Sequence, residues 1–298
     1  MENPELMKHR NLLVALVTGL FCLPMMSRGE DIATLRAKAE QGDAGSQNSL
    51  GSAYANGKGV GQNRQEAVKW YRLAAEQGVT ESQYNLGIIY SQSSSAEYSA
   101  EAIKWLRLAA EKGMAEAQYG LGIVYSNGKG VWRNRQEAIK WYRLAAEQGL
   151  VDAQYNLGVI YADSEDVERN GQEAVKWYRL AAEQGMTEAQ YELGMIYEKG
   201  ECVERNHQEA VKWYRRAAEL GFKDAQYKIG LAYAKGDGVG RDFSEAAKWL
   251  WLSEGKTLCI SVACYVCAIG LSAALRTVNF RRTFTRIRWR RKKPDADC

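Results

Sequence analysis

Few side chains in this sequence could act as a nucleophile, a general base or a soft metal ligand. Its 298 residues include two histidines, His9 and His207. His9 lies between Lys8 and Arg10, just ahead of an uncharged run over 12–23. His207 occupies a place that elsewhere holds Arg64, Arg135 or Gly171, as a surface substitution would. A Ser/His/Asp triad or a histidine-ligated metal would rest on that one imidazole. The six cysteines are Cys22, Cys202, Cys259, Cys264, Cys267 and Cys298. Cys264 and Cys267 have C-x-x-C spacing but sit inside an apolar run, where a thiol behaves as a small hydrophobe. No catalytic residue, cofactor site or metal site is expected.

The elements that would have to position any site are repeats. The stretch 135–149, RQEAIKWYRLAAEQG, recurs at 64–78, 99–113, 171–185 and 207–221. Its tryptophan returns at Trp70, Trp105, Trp141, Trp177, Trp213 and Trp249. A Leu-Gly or Ile-Gly pair keeps the same beat, with its glycine at Gly51, Gly87, Gly122, Gly158, Gly194 and Gly230. A fixed period in this range marks a stacked array of helix pairs. Ala67, Trp70, Tyr71, Ala74 and Ala75 fall at helical spacing, so this stretch is read as an amphipathic helix closed by Gly78. The other segment, SQYNLGIIY (82–90), recurs with Leu86, Ile89 and Tyr90 at helical spacing. Glycine inside a helix costs about 1 kcal/mol against alanine, so its return predicts the close approach of a neighbouring backbone. Loops such as NGKGV (56–60) supply the turn, with Val60 expected to plug back between the helices. The irregular stretches 91–99 and 162–170 break that grammar and are expected to be the least regular parts. The many Trp and Tyr residues fall mostly on the beat and are read as interhelix packing.

These motifs, A-x-x-x-LG-x-x-Y, G-x-GV and EA-x-KWYR-x-AA-x-x-G over about 31–255, resemble the Sel-1-like repeat family, a relative of the tetratricopeptide repeats. The resemblance implies an all-α, right-handed superhelical solenoid of antiparallel helix pairs, with a protein or peptide partner held on its concave side. Six repeats are expected at 43–78, 79–113, 114–149, 150–185, 186–221 and 222–255, capped by a helix over 30–42. Some secreted, cysteine-rich members of the family act on β-lactams. The cysteine pair in each repeat that marks them is absent here, which argues against that activity.

The two ends differ in kind. Residues 1–29 read as a secretory signal peptide, with Lys8 and Arg10 before 12–23 and a small-x-small site at Ser27-Arg28-Gly29. Met7 would give a tidier start, and an uncleaved N-terminal anchor is the competing reading. Residues 257–275 are uncharged and long enough for a separate transmembrane helix. The tail over 276–298, rich in Arg and Lys, would then lie in the cytoplasm against anionic lipid. A helix capping the array and a degenerate gene end are the alternatives. The formal charge of +4 owes much to that tail. The repeats are mildly acidic, so nucleic acid is not an expected partner.

Function should reside in what varies between copies. The residue before the Leu-Gly pair changes most, as Ser49, Asn85, Gly120, Asn156, Glu192 and Lys228. These residues are expected to be exposed on the first helix of each pair and to contact a protein or peptide. The sequence therefore points to a non-catalytic scaffold of the bacterial envelope or secreted space. A periplasmic hydrolase and a soluble effector are the alternatives.

Overall fold

The computed structural model describes residues 31–92, 96–128, 132–162, 170–200 and 203–254. The expected signal peptide, transmembrane helix and basic tail lie outside the described residues, as do all six cysteines. Among the described residues no helix is long and apolar enough to cross a membrane.

The described residues are all-helical, and the chain divides into two compact units at residue 186. The first unit holds α1 (Ile32–Glu40), α2 (Ala44–Asn56), α3 (Arg64–Glu76), α4 (Thr80–Ser91) and α5 (Ala96–Glu111), followed by α6 (Ala115–Asn127), α7 (Arg135–Glu147), α8 (Val151–Ala162) and α9 (Gly171–Glu183). The second holds α10 (Thr187–Lys199), α11 (His207–Glu219), α12 (Lys223–Lys235) and α13 (Phe243–Glu254). Within each unit every helix packs on the next one in the chain, which makes α2, α4, α6, α8, α10 and α12 the first helices of their pairs.

Local sequence explains where the second helices begin and end. Asn63, Asn134 and Asn170 cap α3, α7 and α9 through their side-chain oxygens, and Asn206 does the same for α11. Such a cap is worth about 1 kcal/mol over alanine. At the other end Gly78 adopts φ 91°, and the Val79 amide bonds back to the Ala74 carbonyl. A side chain would strain that left-handed turn. The chain then re-enters a helix at once, and α4 and α6 have no side-chain cap of their own. Buried glutamines complete the junction: Gln83 Nε2 donates to Ala75 O at 3.0 Å and Gln154 Nε2 to Ala146 O at 3.1 Å. Gln226 treats Ala218 O the same way in the second unit.

The predicted stripe Ala67, Trp70, Tyr71, Ala74 and Ala75 is the buried face of α3. The neighbour that the recurring glycines admit is mainly a side chain, which corrects the expected backbone approach. A Cβ on Gly51 would stand 2.7 Å from the Tyr71 ring, and one on Gly158 would stand 2.5 Å from the Tyr178 ring. At Gly87 and Gly230 the intruder is Leu106 or Leu250, and there the backbone nitrogen of that leucine is also near, at 3.1 and 3.2 Å. Helix–helix approach thus happens through the residue that follows each tryptophan. In the first unit, arginines two places after the tryptophan tie α3, α5 and α7 to the next first helix: Arg72 donates to the Tyr90 hydroxyl, Arg107 to that of Tyr125 at 2.6 Å and Arg143 to that of Tyr161 at 2.7 Å.

Of the loops, Val60 is half-buried as expected, and Val239 packs against the core of the second unit. The stretch 91–99 is more regular than expected at its end. Helix α5 starts at Ala96, and Tyr98 stacks on Tyr90 with centroids 5.5 Å apart and planes at 9°. That ring pair rewards an extra helical turn where the loop glycines are missing. Residues 93–95 and 163–169 lie outside the described residues.

Candidate functional site

Each first helix from α4 onward carries a stripe of an acid, a tyrosine, the varying residue and an aliphatic residue or methionine at spacing i, i+3, i+4, i+7, the spacing of a single helix face. On α4 it is Glu81, Tyr84, Asn85 and Ile88; on α6 it is Glu116, Tyr119, Gly120 and Ile123. On α8 it is Asp152, Tyr155, Asn156 and Val159. In the second unit it is Glu188, Tyr191, Glu192 and Met195 on α10, then Asp224, Tyr227, Lys228 and Leu231 on α12. The first helices α4 and α6 touch one another, so in the first unit these stripes lie side by side.

The varying residues occupy the middle of the stripe, yet they are not exposed as the sequence suggested. Asn85 is only 1% accessible and Gly120 is buried. Ser49, Asn156, Glu192 and Lys228 are half-buried. Packing on neighbouring helices accounts for this: a Cβ on Gly120 would meet Leu106 of the preceding helix at 3.4 Å, and the tyrosines of the stripe pack on their neighbours. Tyr119 Oη accepts a hydrogen bond from Asn156 Nδ2 at 3.3 Å, and its ring lies 5.7 Å from that of Tyr142. Tyr155 repeats the ring contact with Tyr178 at 5.6 Å. The residue under such a ring is part of a seam as well as of a surface. Burial pushes the Tyr142 phenol far above its usual range, and burial followed by the Asp152 charge does the same for Tyr119. Both hydroxyls therefore remain neutral hydrogen-bonding groups.

In the second unit the same place is filled by charge. Lys228 Nζ donates to Glu198 Oε2 at 2.7 Å, and Tyr214 Oη donates to the same oxygen at 2.6 Å. Burial works against the Glu198 carboxylate, but the hydrogen bonds from Lys228 and Tyr214 outweigh it and hold the group below the usual range. Burial, and then Glu198, raise Tyr214. The structure thus brings Lys228 together with Glu198, and Asn156 with Tyr119. It distributes Ser49, Asn85, Gly120 and Asn156 one to a repeat along the first unit instead of gathering them in one pocket.

Sequence reasoning missed the flanking residues of the stripe. Tyr84, Tyr119, Ile88, Ile123 and Val159 are half-buried. They repeat with the core, so they read as core; only their place at i−1 and i+3 from the varying residue sets them apart. His207 is half-buried at the start of α11. Among the described residues no group of three or more His, Cys, Asp or Glu side chains could hold a metal.

On the second helices a glutamate pairs with the lysine three residues on. Lys176 pairs with Glu173 at 3.4 Å and lies over the Trp177 ring at 5.0 Å. Lys69 and Lys140 repeat the arrangement on Trp70 and Trp141.

Comparison with known proteins agrees with this architecture. The chain is similar to a protective antigen present in uropathogenic Escherichia coli strains that displays an SLR fold, with 36% identity and a TM-score of 0.70 over 76% of this chain. It spans only 48% of that antigen. It is also similar to a Sel1 repeat protein from Oxalobacter formigenes, with 32% identity and a TM-score of 0.61 over 76% of this chain and 91% of the other. No curated protein matches it. The Sel1 repeat model matches six times, at 44–79, 80–114, 115–150, 151–186, 187–222 and 223–250. Helix pairs joined at a left-handed glycine, with a glycine in the first helix receiving a ring or leucine from the second, recur at that spacing, and the chain belongs to the Sel1 repeat family of α-solenoid proteins.

Proposed function

We propose that this chain is a non-catalytic protein-interaction scaffold that holds an extended protein or peptide segment along the first-helix stripes. Sel1 repeat proteins are generally interaction scaffolds. The observation that carries the reading here is the contrast between the two helix classes. Each second helix of the first unit pairs a glutamate with the lysine three residues on, and that lysine lies over the tryptophan. The first helices leave Ile88, Ile123 and Val159 half-open on α4, α6 and α8, with tyrosine edges beside them at Tyr84 and Tyr119. A regular row of part-exposed aromatic and aliphatic groups is what an extended ligand can use as successive anchor points. Ser49, Asn85, Gly120, Asn156, Glu192 and Lys228 then tune the seam beneath those anchors, and those that keep some exposure contact the ligand directly.

A photo-reactive amino acid at Ile123 tests this, with Leu144 on a second helix as the control position. Adducts should form at Ile123 alone, and a synthetic copy of the segment mapped in the adduct should bind the full chain and not its Ile88→Glu/Ile123→Glu variant. Equal adducts at both positions, or binding that survives the double substitution, would refute it.

The same reading places the scaffold in the bacterial envelope, exported through 1–29 and held to the membrane by 257–275 with the basic tail inside. The layout of charge and hydrophobicity at the two ends supports it. So does the likeness to a protein that is a protective antigen. Cell fractionation with sequencing of the mature N-terminus tests this location; an intact Met1 in the cytosol would overturn it.

A further inference from the structure

We infer that the partner segment bound by the first unit is cationic, with basic side chains set between apolar ones. This rests on the scaffold reading above and adds the chemistry of the partner. The first helices of that unit, α2, α4, α6 and α8, contain no lysine or arginine. Their only charged side chains are Glu81, Glu116 and Asp152. Each stands at the start of its stripe, one turn before the tyrosine and two before the aliphatic residue, so charge and apolar groups share one face.

Each acid also meets the positive end of its helix. That accounts for a carboxylate there, but not for the removal of every cation from the whole set of first helices. The second helices of the same unit follow the opposite rule, each pairing a lysine with a glutamate three residues before it, as Lys140 does with Glu137 at 3.9 Å. Glu81 and Glu116 make no ion pair among the described residues. Lys112, at the end of α5, is held by the Gly78 carbonyl at 2.6 Å. The first-helix face therefore presents negative charge at one edge and half-open Tyr84, Ile88, Tyr119, Ile123 and Val159 beside it. An acidic segment would meet repulsion there, whereas a basic and apolar one finds complementary charge and surface to bury.

The test uses the full chain in mild detergent and two fluorescent twelve-residue peptides, one alternating Lys with Leu and one alternating Glu with Leu. The Lys peptide should bind and the Glu peptide should not. The triple variant Glu81→Gln/Glu116→Gln/Asp152→Asn should weaken binding of the Lys peptide about tenfold, the sum of three charge pairs at exposed or half-buried positions. A control variant, Glu76→Gln/Glu147→Gln/Glu183→Gln, removes the same charge from exposed second-helix positions and should leave binding within about twofold. Equal loss in both variants would reduce the effect to net charge and overturn the inference, as would tight binding of the Glu peptide. Should the Lys peptide fail to bind while the Ile123 adduct persists, the cationic partner is wrong and the scaffold reading stands.

Discussion

Asn156 on α8 donates to the phenol of Tyr119 on α6 at 3.3 Å, so two first helices one repeat apart are joined by side chains on the stripe itself. A residue that varies between repeats is thereby tied to one that does not. Replacing Asn156 by alanine should cost about 1 kcal/mol, the usual net worth of such a bond. A double-mutant cycle with Tyr119→Phe should recover most of that as coupling energy; additive losses in denaturant melts would show the bond to be idle.

Two glycines of α6 should respond in opposite ways. A Cβ on Gly120 would meet Leu106 Cδ2 at an ordinary 3.4 Å, and no positive φ is involved. Gly120→Ala should therefore stabilise the fold by up to about 1 kcal/mol through helix propensity. Gly122 has the Tyr142 ring where its Cβ would go, so Gly122→Ala should destabilise by about 1–3 kcal/mol or more. Chemical denaturation of the two variants side by side checks the sign of each.

Gln154 is both donor and acceptor at a helix junction, giving to Ala146 O at 3.1 Å and taking from Gln184 Nε2 at 2.8 Å. Gln154→Leu keeps the bulk and removes both bonds. It should cost about 1 kcal/mol for the hydrogen bonds lost, read as a fall in the denaturation midpoint; the Ala146 carbonyl keeps the Gly149 amide at 3.0 Å. Nature has run a milder version: Lys112 replaces the corresponding glutamine after α5, and Gln83 Oε1 has no partner.

Glu198 makes the second unit sensitive to acid. Its folded-state pKa lies below the ordinary 4.5, so the unfolded chain binds the proton more readily. The stabilisation is complete above 4.5 and is lost as pH falls through the lower folded value. Melting temperatures between pH 6 and 3 should fall less steeply in Glu198→Gln than in the parent; identical slopes would count against the carboxylate.

Trp132 is 96% exposed in the loop before α7 and contributes almost nothing to packing. Trp132→Ser should leave the melting temperature within about a degree, because surface changes of this kind stay within about 0.5 kcal/mol. A larger drop would show that the indole is covered in the native protein.

Much of this architecture was legible in the residues because its causes are local and repeat. The Trp beat, the apolar stripe of α3 and the glycine that closes each second helix follow from helical period and from the left-handed turn, both properties of a few neighbouring residues. Each recurs often enough in one chain to serve as its own comparison. The site was less legible. Variation alone marked Asn85 and Gly120 as surface, whereas they are buried; no local pattern reports that Gly120 will face Leu106 of the preceding helix. Nor could spacing say whether Gly51 admits a backbone or the Tyr71 ring, or that Glu198 would meet Lys228 and Tyr214. Those contacts depend on how one repeat packs on the next. That packing turns the residues around a varying position into a seam, and only the tertiary structure decides it.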